Sequence, residues 1–322
     1  SVYNGKTDGL VGMDFDANVK TIGKYAIANS TSLQIVIIND AETIDDYAFF
    51  NDIAINNLSI YGNLKHIGEH AFEECKLVPS LVLPNTTEYI GSYAFYNCNS
   101  LQTINIPYGI EAINSHTFFG CASLLSVDLP ATVKIIADYA YYGCVLVNYL
   151  NLNSNVESIG EYAFYNCNQV TEINLPETLK SIGDYAFRSC SNVTDIVIPD
   201  SVTDLGDCVF YACFALEKAE FGSGVTSVGN NVFFGCTYLT EVVFNGDVTY
   251  IHDAAFYGAE DATVYAFENS YVEDYCYEMC LVYYDLNRNF TMTVTAPTKT
   301  QYNEYDELDL TGMALNLTYA NG

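Results

Sequence analysis

Eight cysteines, Cys75, Cys98, Cys121, Cys144, Cys167, Cys190, Cys213 and Cys236, stand 23 residues apart without a slip. A fixed period of this size belongs to a solenoid, one supersecondary unit stacked on itself, and it constrains the architecture before any other residue is read. The same period carries an aliphatic anchor at Ile22, Ile44, Ile67, Ile90, Ile113, Ile136, Ile159, Ile182, Leu205, Val228 and Ile251. That makes eleven copies, of which only the first step is 22 residues. Five residues past the anchor stands an aromatic, from Phe49 through Tyr141 to Phe256, with Ile27 the one departure. A small or β-branched residue precedes it, as at Ala71, Ala94, Thr117, Ala163 and Val232.

Each copy then alternates aliphatic residues with a period of two: Ile104 and Ile106, Val127 and Leu129, Ile173 and Leu175, Ile196 and Ile198. This is the pattern of a half-buried strand. Pro84, Pro107, Pro130, Pro176 and Pro199 end it, where a missing N–H is tolerable. Between anchor and cysteine, glycine often follows the anchor and an acid follows the glycine (Glu69, Glu161, Asp184, Asp207), which predicts an N-capped helical turn. Asn97, Asn166, Gly120, Gly143 and Gly235 precede the cysteine, where a left-handed exit costs little. A single copy cannot bury its own apolar residues, so stacked copies must share one core. At about 4.8 Å per parallel strand, eleven coils span roughly 50 Å, with right-handed crossovers.

The template aliphatic-x-x-Ile-Gly-x-x-Ala-Phe-x-x-Cys-x-x-Leu-x-x-Ile-x-Leu-Pro resembles the BspA-type leucine-rich repeats of bacterial surface proteins, over residues 19 to 270. The resemblance implies a right-handed leucine-rich-repeat solenoid, with a parallel β-sheet on the concave face and short helical or 3₁₀ turns on the convex face. It also implies extracellular display, on the bacterial cell surface or by secretion, and adhesion or binding to a host or matrix protein or glycan. The expected organisation is an N-terminal cap at 1–21, repeats at 22–268, a C-terminal helical cap at 269–288 and a partial bacterial Ig-like domain at 289–322.

Both flanks enter that reading. After Ile251 the pattern degrades, with Ala259 in the cysteine column and Glu268 in the proline column. Ser270 and Glu273 then form a capping box ahead of an apolar stripe at Val272, Tyr275, Cys276 and Met279, which predicts a closing helix. Beyond Asn289, residues 291–295 alternate like a strand, and 297–300, 306–312 and 315–322 follow like the opening strands of an Ig-like domain. Residues 289–322 are too few for a sandwich of about 100, so further modules are expected downstream. The abrupt N-terminus is compatible with removal of a signal peptide.

Eleven basic against forty acidic residues give a net charge of −29. Nucleic acids and anionic membranes reward clustered Lys and Arg, so both are excluded as partners. No apolar run is long enough to span a bilayer. A soluble, self-repelling exported monomer is expected. The eight column cysteines read as small buried hydrophobes with free thiols, because parallel side-chain vectors on adjacent coils fit disulfide geometry poorly.

His66, Glu69 and His70 match the His-x-x-Glu-His zinc-protease pattern, which needs both imidazoles on one face of a helix. Here the match crosses the anchor strand and its turn, so no metal site is expected. Four histidines and scattered turn serines form no nucleophile–base–acid set, so neither catalysis nor a cofactor is implied.

Two surfaces remain. Tyr25, Tyr47, Tyr93, Tyr139, Tyr162 and Tyr185 form one aromatic column, and Phe50, Tyr96, Phe119, Tyr142, Tyr165, Tyr211, Phe234 and Tyr257 a second. These columns either stack between coils or contact a partner. The outward residues of the strand face form a polar strip. Asn105, Asp128, Tyr149, Asn151, Glu172, Asn174 and Asp195 are its candidate binding residues.

Overall fold

The computed structural model describes residues 9–286 and the strands Phe290–Thr295 and Ala314–Tyr319. Among the described residues the repeats form a parallel β-solenoid of about twelve turns, held by three hydrogen-bonded ladders between coils. The anchors make the first ladder. Two-residue strands from Thr21–Ile22 to Tyr250–Ile251 pair in parallel, in blocks of four, five and two. Ile159 lies opposite both Ile136 and Ile182, so equal residues sit over one another. The longer strands make the second ladder, in blocks of three, two, two and five. It starts at Gly12–Phe15, inside the segment expected to be the N-terminal cap, and ends at Val282–Asp285, beyond the closing helix.

The third ladder replaces the helical turns expected between anchor and cysteine. In the coil that starts at Ile136, Tyr139 and Gly143 have φ of 59° and 72°. A left-handed residue stops a right-handed helix after one turn. Alternate N–H groups then point along the rod: those of Tyr139, Tyr141 and Gly143 donate to the carbonyls of Glu161, Ala163 and Tyr165 on the next coil, each at 2.8 Å. The N–H groups between them, of Ala140, Tyr142 and Cys144, bond three residues back within the coil. The left-handed exit before the cysteine was legible in its Asn and Gly residues; the second left-handed position, at the tyrosine column, was not.

Of the acids expected to cap a helical turn, Asp184 and Asp207 cap the neighbouring coil instead, as Asp46 and Asp138 do from their coils, whereas Glu69 and Glu161 only donate their backbone N–H to such a cap. Asp46, Asp138, Asp184 and Asp207 each accept, through Oδ1, the backbone N–H of the matching residue one coil on, at 2.7–3.0 Å. The glycine that follows the anchor serves close approach: a Cβ on Gly160 would lie 2.5 Å from the Asp138 backbone nitrogen.

The core is a set of one-residue columns. The rings from Phe49 to Phe233 stack between adjacent coils at centroid distances of 5.2–6.2 Å. Phe15 closes one end edge-on, and Phe256 carries the other to Tyr275 of the C-terminal helix. Beside the rings, the eight periodic cysteines are buried and reduced. Each donates its S–H to the carbonyl of the aromatic residue on the preceding coil, for example Cys121 to Phe95 at 3.2 Å. The column therefore supplies an inter-coil hydrogen bond as well as volume. Burial pushes the Cys121, Cys167 and Cys236 thiols up to about 12, far from the thiolate needed for nucleophilic chemistry.

The C-terminal helix, Tyr271–Met279, forms where the capping signal placed it. Ser270 accepts the N–H of Glu273, and the Glu273 carboxylate accepts the N–H of Asn269. Val272, Tyr275 and Cys276 are buried, whereas Met279 is exposed and does not join the stripe. Phe290–Thr295 pairs antiparallel with Ala314–Tyr319, which meets the strand expectation for both segments. The residues between them, 296–313, lie outside the described residues.

Candidate functional site

The strand face presents two outward columns per coil, because successive side chains in a strand alternate sides. The seven strip residues all lie on this face, but most of their polar groups are already engaged. Asn105 bonds both peptide groups of Leu83: its Oδ1 accepts the Leu83 N–H at 2.7 Å and its Nδ2 donates to the Leu83 carbonyl at 3.0 Å. It is a stitch between coils more than a free recognition group. Asp128 and Asn151 are neighbours in register and bond at 2.7 Å. Asn174 donates to Glu172 at 2.8 Å, and Thr194 donates to Asp195 at 2.7 Å. Tyr149 is about half exposed, at 55%. Further along the rod, Lys218 pairs with Glu241 at 2.6 Å.

Two depressions open on the N-terminal half of this face. One, of about 580 Å³, is lined by residues from Asn56 to Tyr61 and by Pro79, Ser80 and Val82. The other, of about 600 Å³, is lined by Val82, Thr103, Asn105, Ile106, Tyr108, Ser126, Asp128 and Asn151 among others. Val82 borders both, so they adjoin. Their exposed large apolar residues were absent from the strip read in sequence: Tyr61, Val82 and Tyr108, which are 58%, 75% and 71% exposed. The signal existed for Val82, which alternation between Leu81 and Leu83 turns outward.

The opposite side of the rod is committed to stacking. Tyr25, Tyr47, His70, Tyr93, His116, Tyr139, Tyr162 and Tyr185 form an unbroken pile of rings with centroids 4.3–4.9 Å apart. All sit at left-handed φ. The second column stacks from Tyr96 through Phe119 and Tyr142 to Tyr165, then holds the Arg188 guanidinium 4.2 Å from the Tyr211 ring. His70 also faces Glu73, whereas His66 stacks on Tyr89 at 4.7 Å. The two imidazoles of the zinc-like motif thus belong to different piles and do not converge. Near the anchor ladder, Asp138, Glu161, Asp184 and Asp204 border a depression of about 440 Å³. Burial, with Asp138 and Asp184 beside it, raises the Glu161 carboxyl above its ordinary range.

Stacked parallel coils with free-thiol, phenylalanine and aliphatic columns define a leucine-rich-repeat solenoid. The family model for the BspA type leucine rich repeat region matches residues 5–79, 77–170 and 157–283, and the chain belongs to that family. Among solved structures it is similar to a leucine-rich repeat protein from Bacteroides ovatus, with a TM-score of 0.71 and 27% identity over 80% of this chain and 66% of that one. The chain thus spans just under two thirds of that protein. It also resembles the pneumococcal vaccine antigen PcpA, with a TM-score of 0.58 and 18% identity over 88% of this chain and 82% of that one, a likeness of fold. No curated protein matches the chain. No helix among the described residues is long and apolar enough to cross a membrane.

Proposed function

We propose that this chain is a non-catalytic binding module, displayed on a bacterial cell surface or secreted, whose strand face contacts a host or environmental protein or glycan. The observation that carries this reading is the contrast between the two sides of the rod. One side stacks its aromatic rings on each other, even where Tyr25 and Tyr257 stay exposed; the strand side leaves Tyr61, Val82 and Tyr108 exposed around two adjoining depressions, and Tyr149 exposed on the coil beyond Ser126. Exposed apolar groups gathered in one region of an acidic, soluble surface mark a contact site. Asp128, Asn151, Glu172, Asn174 and Asp195 extend the strip as a polar rim. The family's bacterial surface repeats and the self-repelling charge of −29 fit an exported protein.

A second reading is favoured by the bonds of Asn105, Asp128, Asn151 and Asn174, which are already spent within the rod. In that reading the solenoid is a spacer, and the strands Phe290–Thr295 and Ala314–Tyr319 open an Ig-like module in a tandem array. Screening the purified chain on arrays of matrix proteins and glycans separates the two. Binding that falls at least tenfold in Tyr149→Ala supports the strand-face module. Absence of any binding supports the spacer.

A further inference from the structure

The adjoining depressions differ from the rest of the molecule in charge. The chain carries forty acidic residues and eleven basic ones, yet the first depression is lined by no charged side chain. The second has one, Asp128, which is bonded to Asn151. A partner held by ions would find nothing to pair with here. What the surface does offer is alternating apolar and uncharged polar groups. Tyr61 and Tyr108 stand two coils apart, about 10 Å along the rod at the spacing of parallel strands, with exposed Val82 on the coil between them. The side chains of Asn57, Ser80 and Thr103 lie in or beside the same floor, exposed. They make no hydrogen bond to the protein among the described residues. Both depressions are shallow and open, which suits a chain lying along the rod better than a small molecule enclosed by it.

Sugar rings have this dual chemistry: a C–H face that packs on an aromatic or aliphatic surface, and equatorial hydroxyls that need uncharged donors and acceptors. An extended, equatorially linked glycan advances about one ring per coil of this ladder. We propose that the adjoining depressions bind a neutral, extended, β-1,4-linked polysaccharide, with Tyr61, Val82 and Tyr108 packing on ring faces and Asn57, Ser80 and Thr103 bonding hydroxyls. The proposal rests on the strand face being the contact surface.

Titration calorimetry with cellohexaose, xylohexaose and mannohexaose tests it, with β-1,4-linked hexamannuronate as the acidic counterpart. At least one neutral hexaose saturates, with affinity unchanged between low and high salt, and hexamannuronate does not bind. The double variant Tyr61→Ala, Tyr108→Ala weakens that binding at least tenfold while keeping its thermal transition, and Tyr238→Ala, exposed but outside both depressions, binds as the parent does. No neutral hexaose bound, equal binding by the double variant, or loss of binding in salt would each overturn the proposal. If the hexaoses fail but an arrayed matrix protein binds through Tyr149, the glycan assignment falls and the broader reading stands. If neither binds, both fall.

Discussion

Two stretches of the strand face are built from the same repeat and ladder differently. From Asp195–Ile198 to Val282–Asp285, five four-residue strands pair without a gap. From Ser80–Leu81 to Tyr149–Asn151 the strands are two or three residues long and pair only in twos, and residues 172–175 form no strand at all. The difference tracks the residue that follows the strand in most coils; the exceptions are Pro199, which follows Asp195–Ile198 at the start of the regular stretch, and Asn153, which holds the proline place in the coil of Tyr149–Asn151. In the regular stretch the N–H groups of Gly222 and Asn245 bond the last strand carbonyl of the preceding coil, Ile198 at 2.8 Å and Phe221 at 2.9 Å. In the interrupted stretch Pro84, Pro107, Pro130 and Pro176 hold that place, and proline has no N–H to give. The core loosens at two coils only, since Leu81, Leu83, Val127, Leu129 and Leu152 of the interrupted stretch stay buried. Ile104, Ile106 and Leu175 are half-buried, whereas Ile196, Ile198, Phe221, Val242 and Phe244 are buried. The stitch by Asn105 repairs one of these gaps with a side-chain amide. The adjoining depressions lie where the ladder is interrupted, so the proline column shapes the candidate site.

The largest test asks whether the core is equally strong beneath both stretches. The phenylalanine and cysteine columns cross the interruption without a break. Phe164→Ala, in a coil whose strand is missing, and Phe233→Ala, in the regular stretch, should therefore each lower stability by about 3–5 kcal/mol in denaturant unfolding. A loss below about 1 kcal/mol for Phe164 alone would show that the interrupted stretch is not held by its ring column.

That test also marks where sequence reading succeeds. Column identity was legible because each buried position repeats at one period and its chemistry is apolar: the rings, the thiols and the anchors. Ladder pairing was not, because it depends on where each N–H points, and a Gly–Asp–Tyr segment reads as a capped helical turn unless the left-handed tyrosine is known. Asn231 in the tyrosine column, also at positive φ, was the available hint. Alternation placed the strip residues on the outer side of the strand column, where they lie. Their mutual bonds were invisible, because Asp128 and Asn151 meet only when the register between coils is known.

The thiol column offers the next test, because its N-terminal coils depart from it. Ser30 and Asp52 take the cysteine position there. Asp52 is fully buried; one carboxyl oxygen accepts the Ser30 N–H at 2.6 Å, and the other has no partner. Burial pushes this carboxyl up to about 8. Its unfolded value is about 3.9. Between the two values the folded state keeps a proton that the unfolded chain has released. The contribution of Asp52 is therefore fully present below about pH 4, falls by at most about 1.4 kcal/mol per pH unit, and is lost above about pH 8. Asp52→Cys should stabilise the chain, with a gain that grows across that window and then levels off. A gain independent of pH, measured by unfolding at pH 5 and pH 9, would mean that the carboxyl does not titrate in place.

A smaller effect probes the proline rule directly. Asn245→Pro removes the bond to the Phe221 carbonyl and should cost about 1–3 kcal/mol by leaving that acceptor unpaired. Amide exchange should quicken in Glu241–Phe244 and its neighbour strands. The reverse change, Pro130→Asn, should slow exchange in Ser126–Asp128, because it restores a donor to the interrupted stretch. Equal exchange in both variants would separate strand length from proline.

The smallest effect tests the main rival account, that ion pairing rather than backbone donors makes the C-terminal stretch regular. Lys218 and Glu241 sit opposite each other on adjacent strands, with Nζ and Oε1 2.6 Å apart, and the hydrogen bond to Glu241 raises the lysine above its ordinary value. Both side chains remain substantially open to water, at 42% and 37%, so solvent screens most of the attraction. Exposed pairs of this kind contribute about 0.2–1 kcal/mol. Lys218→Ala should therefore shift stability by under about 1 kcal/mol, and the difference should shrink in concentrated salt. Amide protection across Lys218–Phe221 should stay as it was. A collapse of that protection would transfer the regularity of the stretch from its backbone donors to its charges, and the contrast with the proline-bearing coils would need a different cause.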